Sequence, residues 1–280
     1  MMSPRKSLNI YQSGNPNGIP VIFIHGGAGG VWNWMPTVRR LENISAYLPE
    51  LPEHGSSRFL GPFSIHSTAD EIIRMIREQI PGGKAHLVGL SVGGQVALDI
   101  LARAPDIILN AVISGSLALP LPGYSLGIYS EAVMKMLYKL FIRPWRQNDR
   151  ILRWMMKSMT GISETYFSEF KQNLQSITLS GWTHTMSEYY RYRLPHGIQS
   201  VQNPVLLVAG EHETVEVLPT HRLLHRVLPN NHSVILGSSQ NWSAAREHNW
   251  STTLPDLCAR TVNAWIHQST LPAELTPMAG

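Results

Sequence analysis

The sequence predicts a doubly wound α/β fold, a mostly parallel sheet with helices on both faces, carrying one helical insertion. Three observations lead there. Short apolar runs recur at 21–24 (VIFI), 85–90 (AHLVGL), 108–114 (ILNAVIS), 204–209 (PVLLVA) and 233–236 (SVIL), and runs apolar on both alternations fit strands buried on both faces. Helical patterns lie between them at 68–80, 92–104, 219–227 and 256–266; in the first, Ile72, Ile73, Ile76 and Ile80 form one apolar stripe. Such alternation of strand and helix builds a parallel sheet. The third observation is a break in composition. Residues 118–200 hold 10 basic and 5 acidic residues, 13 of the 23 aromatics and 6 of the 11 methionines. Within them, Met134, Leu137, Tyr138 and Phe141 share a helical face. The expected organisation is therefore a core of residues 1–117 and 201–280 with a helical cap at 118–200.

Composition excludes several classes of protein. With 280 residues, 43% hydrophobic and 15% charged, the chain has ample material for a core, which argues against disorder. No apolar run approaches the roughly 18 residues of a membrane helix. The basic N-terminal residues are followed by no apolar stretch of the secretory kind, so a soluble, cytoplasmic protein is expected. A single cysteine, Cys258, leaves no internal disulfide and no cysteine-based zinc cluster. His221 and His225 are spaced i, i+4, but HRLLH lacks the glutamate of a zinc-binding helix. Neither a metal nor a cofactor is expected. The net charge of +4 comes without any nucleic-acid-binding motif, so the expected partner is a small molecule.

Two glycine-rich segments carry chemistry. Gly89-Leu90-Ser91-Val92-Gly93-Gly94 joins the strand 85–90 directly to a helix. A serine at such a turn holds its hydroxyl above the sheet, and small neighbours let chain segments approach. The helix N-terminus behind it offers N–H groups and a positive dipole end to a developing oxyanion. Ser91 is thus the candidate nucleophile. His25-Gly26-Gly27-Ala28-Gly29-Gly30 follows the strand 21–24. It lacks the lysine and hydroxyl of a P-loop and any clean dinucleotide fingerprint. Acyl transfer needs two N–H donors where negative charge develops; the N–H groups of Gly27 and Val92 are the natural pair. His25 reads as a residue that holds this loop.

In the order strand–HGG, strand–GLSVGG–helix, helical insertion, strand–GEHE and a late histidine, the chain resembles the α/β-hydrolase family over about residues 7–268. Capped esterases, lipases and lactonases are the most similar members. Glu50-Leu51-Pro52-Glu53-His54-Gly55-Ser56-Ser57 resembles the family's D-x-P-G-H-G-x-S loop, with Glu53 where glycine is usual, and His54 reads as a structural histidine there. The family's G-x-x-D pattern after the strand 204–209 falls on Gly210-Glu211-His212-Glu213. That implies Glu213 as the acid, with Glu211 two residues away as the alternative. Glu247-His248-Asn249-Trp250 … Leu254-Pro255-Asp256-Leu257 resembles the family's G-H-x-W … P-E-L and implies His248 as the base, with His232 the alternative. Here Glu247 replaces the usual glycine, and the preceding loop is longer than usual.

The resemblance implies a serine hydrolase with a Ser91–His248–Glu213 triad, acting on a small, apolar carboxylic ester. A lactonase, thioesterase or carbon–carbon hydrolase keeps the same triad, and a hydrolase-like receptor with little turnover is the competing class. Trp154 and Phe170 are the expected substrate-binding aromatics of the cap, whose methionines offer an adaptable apolar wall. Oligomeric state is not legible.

Overall fold

A computed structural model describes residues 7–120, 126–213, 216–237, 240 and 242–278. Residues 121–125 of the insertion, Thr214 and parts of the loop after Gly237 lie outside these. The elements run β1 (Ile10–Gly14), β2 (Ile19–Ile24), α1 (Met35–Val38), β3 (Ile44–Pro49), α2 (Ile65–Gln79), β4 (Ala85–Leu90), α3 (Val92–Arg103) and β5 (Ile108–Ser114). Next come four helices, α4 (Glu131–Leu137), α5 (Asp149–Met155), α6 (Phe167–Ser176) and α7 (Leu179–Arg191). The chain then returns to the sheet with β6 (Val205–Gly210), α8 (Val217–Val227) and β7 (Asn231–Leu236). It closes with α9 (Ala244–His248), α10 (Trp250–Thr253), α11 (Pro255–Ile266) and β8 (Leu275–Pro277).

The strands form one sheet in the order β1-β3-β2-β4-β5-β6-β7-β8. Pairing is parallel from β3 to β7, while β1 and β8 add antiparallel edges. The mostly apolar strands are explained by the two layers they separate. Ile22, Ile24, Leu87, Ala111, Ile113, Val205 and Leu207 pack with residues of α2, α3 and α8 on one face. Their neighbours Val21, Phe23, Val88, Val112, Leu206 and Val208 pack with Val38 of α1, Trp250 of α10 and Leu257, Cys258 and Val262 of α11 on the other. Alternate side chains thus feed opposite layers, as the period of two requires. The predicted α/β class is the observed one.

Some elements differ in extent. The helix expected to carry Met134, Leu137, Tyr138 and Phe141 is α-helical only through Leu137 and continues as a π-helical turn, Tyr138–Ile142; a second follows α5 at Met156–Thr160. Residues on and between these helices make their own apolar centre from Tyr138, Leu152, Met156, Ile162, Phe167, Phe170, Leu174 and Ile177. Ala28 and Trp32 of the loop after β2 pack against it.

Helix α7 is tied to the sheet-bearing part by polar contacts along its length. His184 Nδ1 lies 2.8 Å from a Glu53 carboxylate oxygen, and Ile65 N–H donates to Glu188 at 2.9 Å. Gln95 of α3 donates to the Tyr189 carbonyl at 3.1 Å, and just beyond the helix the Tyr192 hydroxyl donates to the Gln95 carbonyl at 3.2 Å.

Candidate active site

The site sits at the carboxyl ends of the central parallel strands. Ser91 occupies the turn between β4 and α3 with φ 55° and ψ −119°, a region L-residues enter at a cost of about 1–3 kcal/mol. The surroundings fix it there. Its N–H donates to the Ser114 carbonyl at 2.9 Å, and its carbonyl accepts from the Ser116 hydroxyl at 2.9 Å. The sharp turn also presses α3 against β2. A Cβ at Gly93 would lie 2.2 Å from the Ile24 carbonyl oxygen, so only glycine fits.

The HGG loop lies directly against this turn. The Cβ position of Gly26 is 3.3 Å from Ser91 Cβ, and that of Gly27 is 3.2 Å from a Val92 methyl. Val92 opens α3, and a first-turn N–H has no acceptor inside its own helix. Two buried histidines hold the loop. Leu51 N–H donates to His25 Nε2 at 3.1 Å while His25 Nδ1 meets the Gly26 carbonyl at 2.8 Å. Ala28 N–H donates to His54 Nε2 at 3.3 Å while His54 Nδ1 meets the Pro52 carbonyl at 2.9 Å. In each ring one nitrogen accepts and the other donates, which describes neutral imidazole. Burial agrees, pushing His25 down to about 3 with help from the nearby His54, and lowering His54 too. From the insertion, the Asn173 amide donates to the Ala28 carbonyl.

The predicted acid and base come together. His248, the last residue of α9, sets Nδ1 2.6 Å from a Glu213 carboxylate oxygen, and the other oxygen accepts Gly210 N–H at 2.8 Å. Burial opposes charge on Glu213, but the hydrogen bond and charge of His248 and the Gly210 N–H hold it below the usual carboxylate range. Burial likewise depresses His248, and the hydrogen bond and charge of Glu213 outweigh it and raise the imidazole. Room for this pair comes from Gly115, just past β5 at φ +56°. A Cβ there would lie 2.8 Å from His248 Nδ1 and 2.9 Å from Glu213 Oε1.

The alternatives fall elsewhere. Glu211 is exposed, its N–H extending the β6–β7 pairing to the Leu236 carbonyl at 3.1 Å. His232 is exposed and pairs with Leu206, four residues from the Gly210–Leu236 end where the site lies. His221 is a core histidine, fully buried, lowered to about 4, with its Nε2 accepting Ser116 N–H at 3.4 Å.

Ser91 and His248 both line a cavity of about 320 Å³ whose other walls include Gly27, Trp32, Ile142, Met155, Met159, Ile162, Phe170, Leu174 and Trp182. Phe170 is 7% exposed and faces Trp32 edge-on at 6.4 Å. Trp154 is not brought to the cavity and must be corrected: it is 59% exposed on α5. One residue turns a helix by about 100°, so with Leu152 and Met155 directed inward, Trp154 points out. Sequence reasoning also missed Tyr189, whose phenol stands near Ser91 and is pushed up mainly by burial. No motif marks it, because it arrives from α7 about a hundred residues after the serine.

The sequence profile of the family described as alpha/beta hydrolase fold matches residues 19–241. A protein of Gibberella zeae described as an AB hydrolase superfamily protein is 25% identical over 94% of this chain and 85% of its own. The pimeloyl-(acyl-carrier protein) methyl ester esterase of Neisseria meningitidis is 25% identical over 72% of this chain and 77% of its own. Among solved structures, the enol-lactonase from Burkholderia xenovorans LB400 superposes with a TM-score of 0.73 at 14% identity, covering 93% of this chain and 96% of that one.

Proposed function

Because the chain belongs to the alpha/beta hydrolase family, we propose that it is a serine hydrolase cleaving carboxylic ester bonds of a small, apolar substrate through an acyl-enzyme. The observation that carries this reading is the meeting of a strained elbow serine and a partly buried, carboxylate-paired histidine on one apolar cavity. His248 takes the Ser91 proton as the hydroxyl oxygen attacks the ester carbonyl, and Glu213 stabilises the imidazolium that forms. The N–H groups of Gly27 and Val92 receive the oxyanion. Collapse expels the alcohol, which takes its proton from His248. Water activated by the same histidine then attacks the acyl carbonyl, releasing the acid and restoring Ser91. The Neisseria relative, named for a methyl ester, favours esters over the lactones, thioesters and carbon–carbon bonds that the same groups can open. In this reading residues 118–200 are the cap that walls the acyl site.

A panel of p-nitrophenyl esters of rising chain length, beside lactones and acyl thioesters, tests the proposal. Multiple turnover with an ester optimum is expected; binding with one turnover or none would establish the receptor reading instead. Within that panel, Phe170→Ser should move the chain-length optimum or raise KM, while Trp154→Ser should leave both unchanged. An unmoved optimum in Phe170→Ser would remove that residue from the acyl wall.

The base must be neutral to accept the serine proton. Since Glu213 raises His248, kcat/KM should climb with pH through a midpoint above the ordinary histidine value of 6.5. A midpoint below that value in a pH–rate profile contradicts the pairing.

A further inference from the structure

The loop after β6 and helix α9 are joined by a second carboxylate–imidazole pair beside the first. His212 precedes Glu213 in the chain, and Glu247 precedes His248. The Glu247 side chain is wholly buried. One carboxylate oxygen accepts His212 N–H at 2.7 Å and the other lies 2.8 Å from His212 Nδ1. The two pairs run in opposite senses: one takes its acid from the loop and its imidazole from the helix, the other the reverse. They also share a backbone seat. A Cβ at Gly210 would lie 2.6 Å from a Glu247 oxygen and 2.9 Å from Glu213 Cγ. On the far side, one at Gly237 would lie 2.8 Å from the other Glu247 oxygen.

A carboxylate removed from water needs charge-assisted partners, and its gain is a fixed geometry more than stability. Resting on the serine hydrolase reading above, we propose that His212 and Glu247 are positioning residues of the triad. Their contact locks the acid loop to the base helix in the register the 2.6 Å Glu213–His248 hydrogen bond requires. The imidazole of His212 is about half exposed. Glu247 from α9 and Glu211 from its own loop are the charges that face it, and with the Glu247 hydrogen bond first they raise it.

The test measures kcat, KM and the His248 titration in His212→Ala, His212→Gln and Glu247→Gln, with thermal melting alongside. His212→Ala should lower kcat about 10- to 100-fold, the scale of an ångström-sized misplacement, with KM within about twofold. His248, no longer held against Glu213, should titrate nearer the ordinary histidine value. His212→Gln, which keeps a side-chain N–H donor, should recover most of the rate. Should Glu247→Gln fail to fold, the half-exposed His212 variants carry the test. Arg260→Ala, breaking an exposed ion pair with Glu274, should change neither quantity. A His212→Ala enzyme with native kcat and native His248 titration overturns the proposal. So does a rate loss that follows melting temperature with His248 unmoved, because that marks a structural role alone. NMR titration of His248 needs no turnover, so a native protein inert toward every ester would refute the hydrolase reading and leave this one measurable.

Discussion

Ser91→Ala is expected to abolish both turnover and labelling by a fluorophosphonate, with the protein still folded. Loss of a triad nucleophile costs about 10⁶ in kcat in a serine protease, so only a trace of rate should survive. Alanine keeps the Cβ and the backbone path of the elbow, so the strain at φ 55° and the hydrogen bonds that hold it are retained. What is lost is the hydroxyl alone, a change that leaves the backbone contacts of the turn in place and is expected to move stability by no more than about 1 kcal/mol. Native protein should take up one equivalent of probe, read by intact mass, and the variant none. A variant that still takes up probe would place the nucleophile elsewhere.

Glu213→Gln should lower kcat by about 10⁴, the loss seen when a serine protease keeps its nucleophile but its triad acid becomes an amide. The cause is electrostatic and tautomeric. Glutamine neither stabilises an imidazolium nor requires the proton to sit on Nδ1, the nitrogen that now faces the carboxylate at 2.6 Å. Glu211→Gln should remain near native, since that side chain faces solvent. Glu213→Asp should fall between, its shorter arm leaving the carboxylate short of the ring. Steady-state kinetics on folded variants decide among these outcomes. If the Glu211 variant were the inactive one, the acid motif would have been read two residues out of register; if neither lost activity, Ser91 and His248 would be left as a dyad.

The parts of the fold legible in sequence are those with a local cause. Strands buried on both faces are mostly apolar, so β2, β4, β5, β6 and β7 declared themselves; β3 (Ile44–Pro49) did not, although it is buried along its whole length, because Ser45 and Pro49 leave only a short mixed run. The antiparallel edges β1 and β8 did not, being short and mixed in polarity. At the site, Ser91 was legible because its turn demands small neighbours within a few residues. Glu213 and His248 could be placed by resemblance, since their meeting depends on segments 35 residues apart. Tyr189 and Asn173 left no local trace, because they reach the site only through the folding of the insertion. Trp154 misled for a related reason. Aromatic content marks a helix that packs, but only the helix's rotation says which aromatic faces inward. The two glutamates that stand where glycine is usual proved informative together: Glu53 and Glu247 are both buried, and each meets a histidine, His184 and His212.

Gly115 takes no part in any chemical step, yet the acid–base pair occupies the space its missing side chain leaves. Ser91, Glu213 and His248 are thereby tied to a fourth position, just past a strand that supplies none of them. A lineage acquiring this arrangement one substitution at a time would have needed that vacancy before a carboxylate and an imidazole could meet across it. A designer transplanting only the three functional side chains onto another sheet would find them held apart by a methyl group.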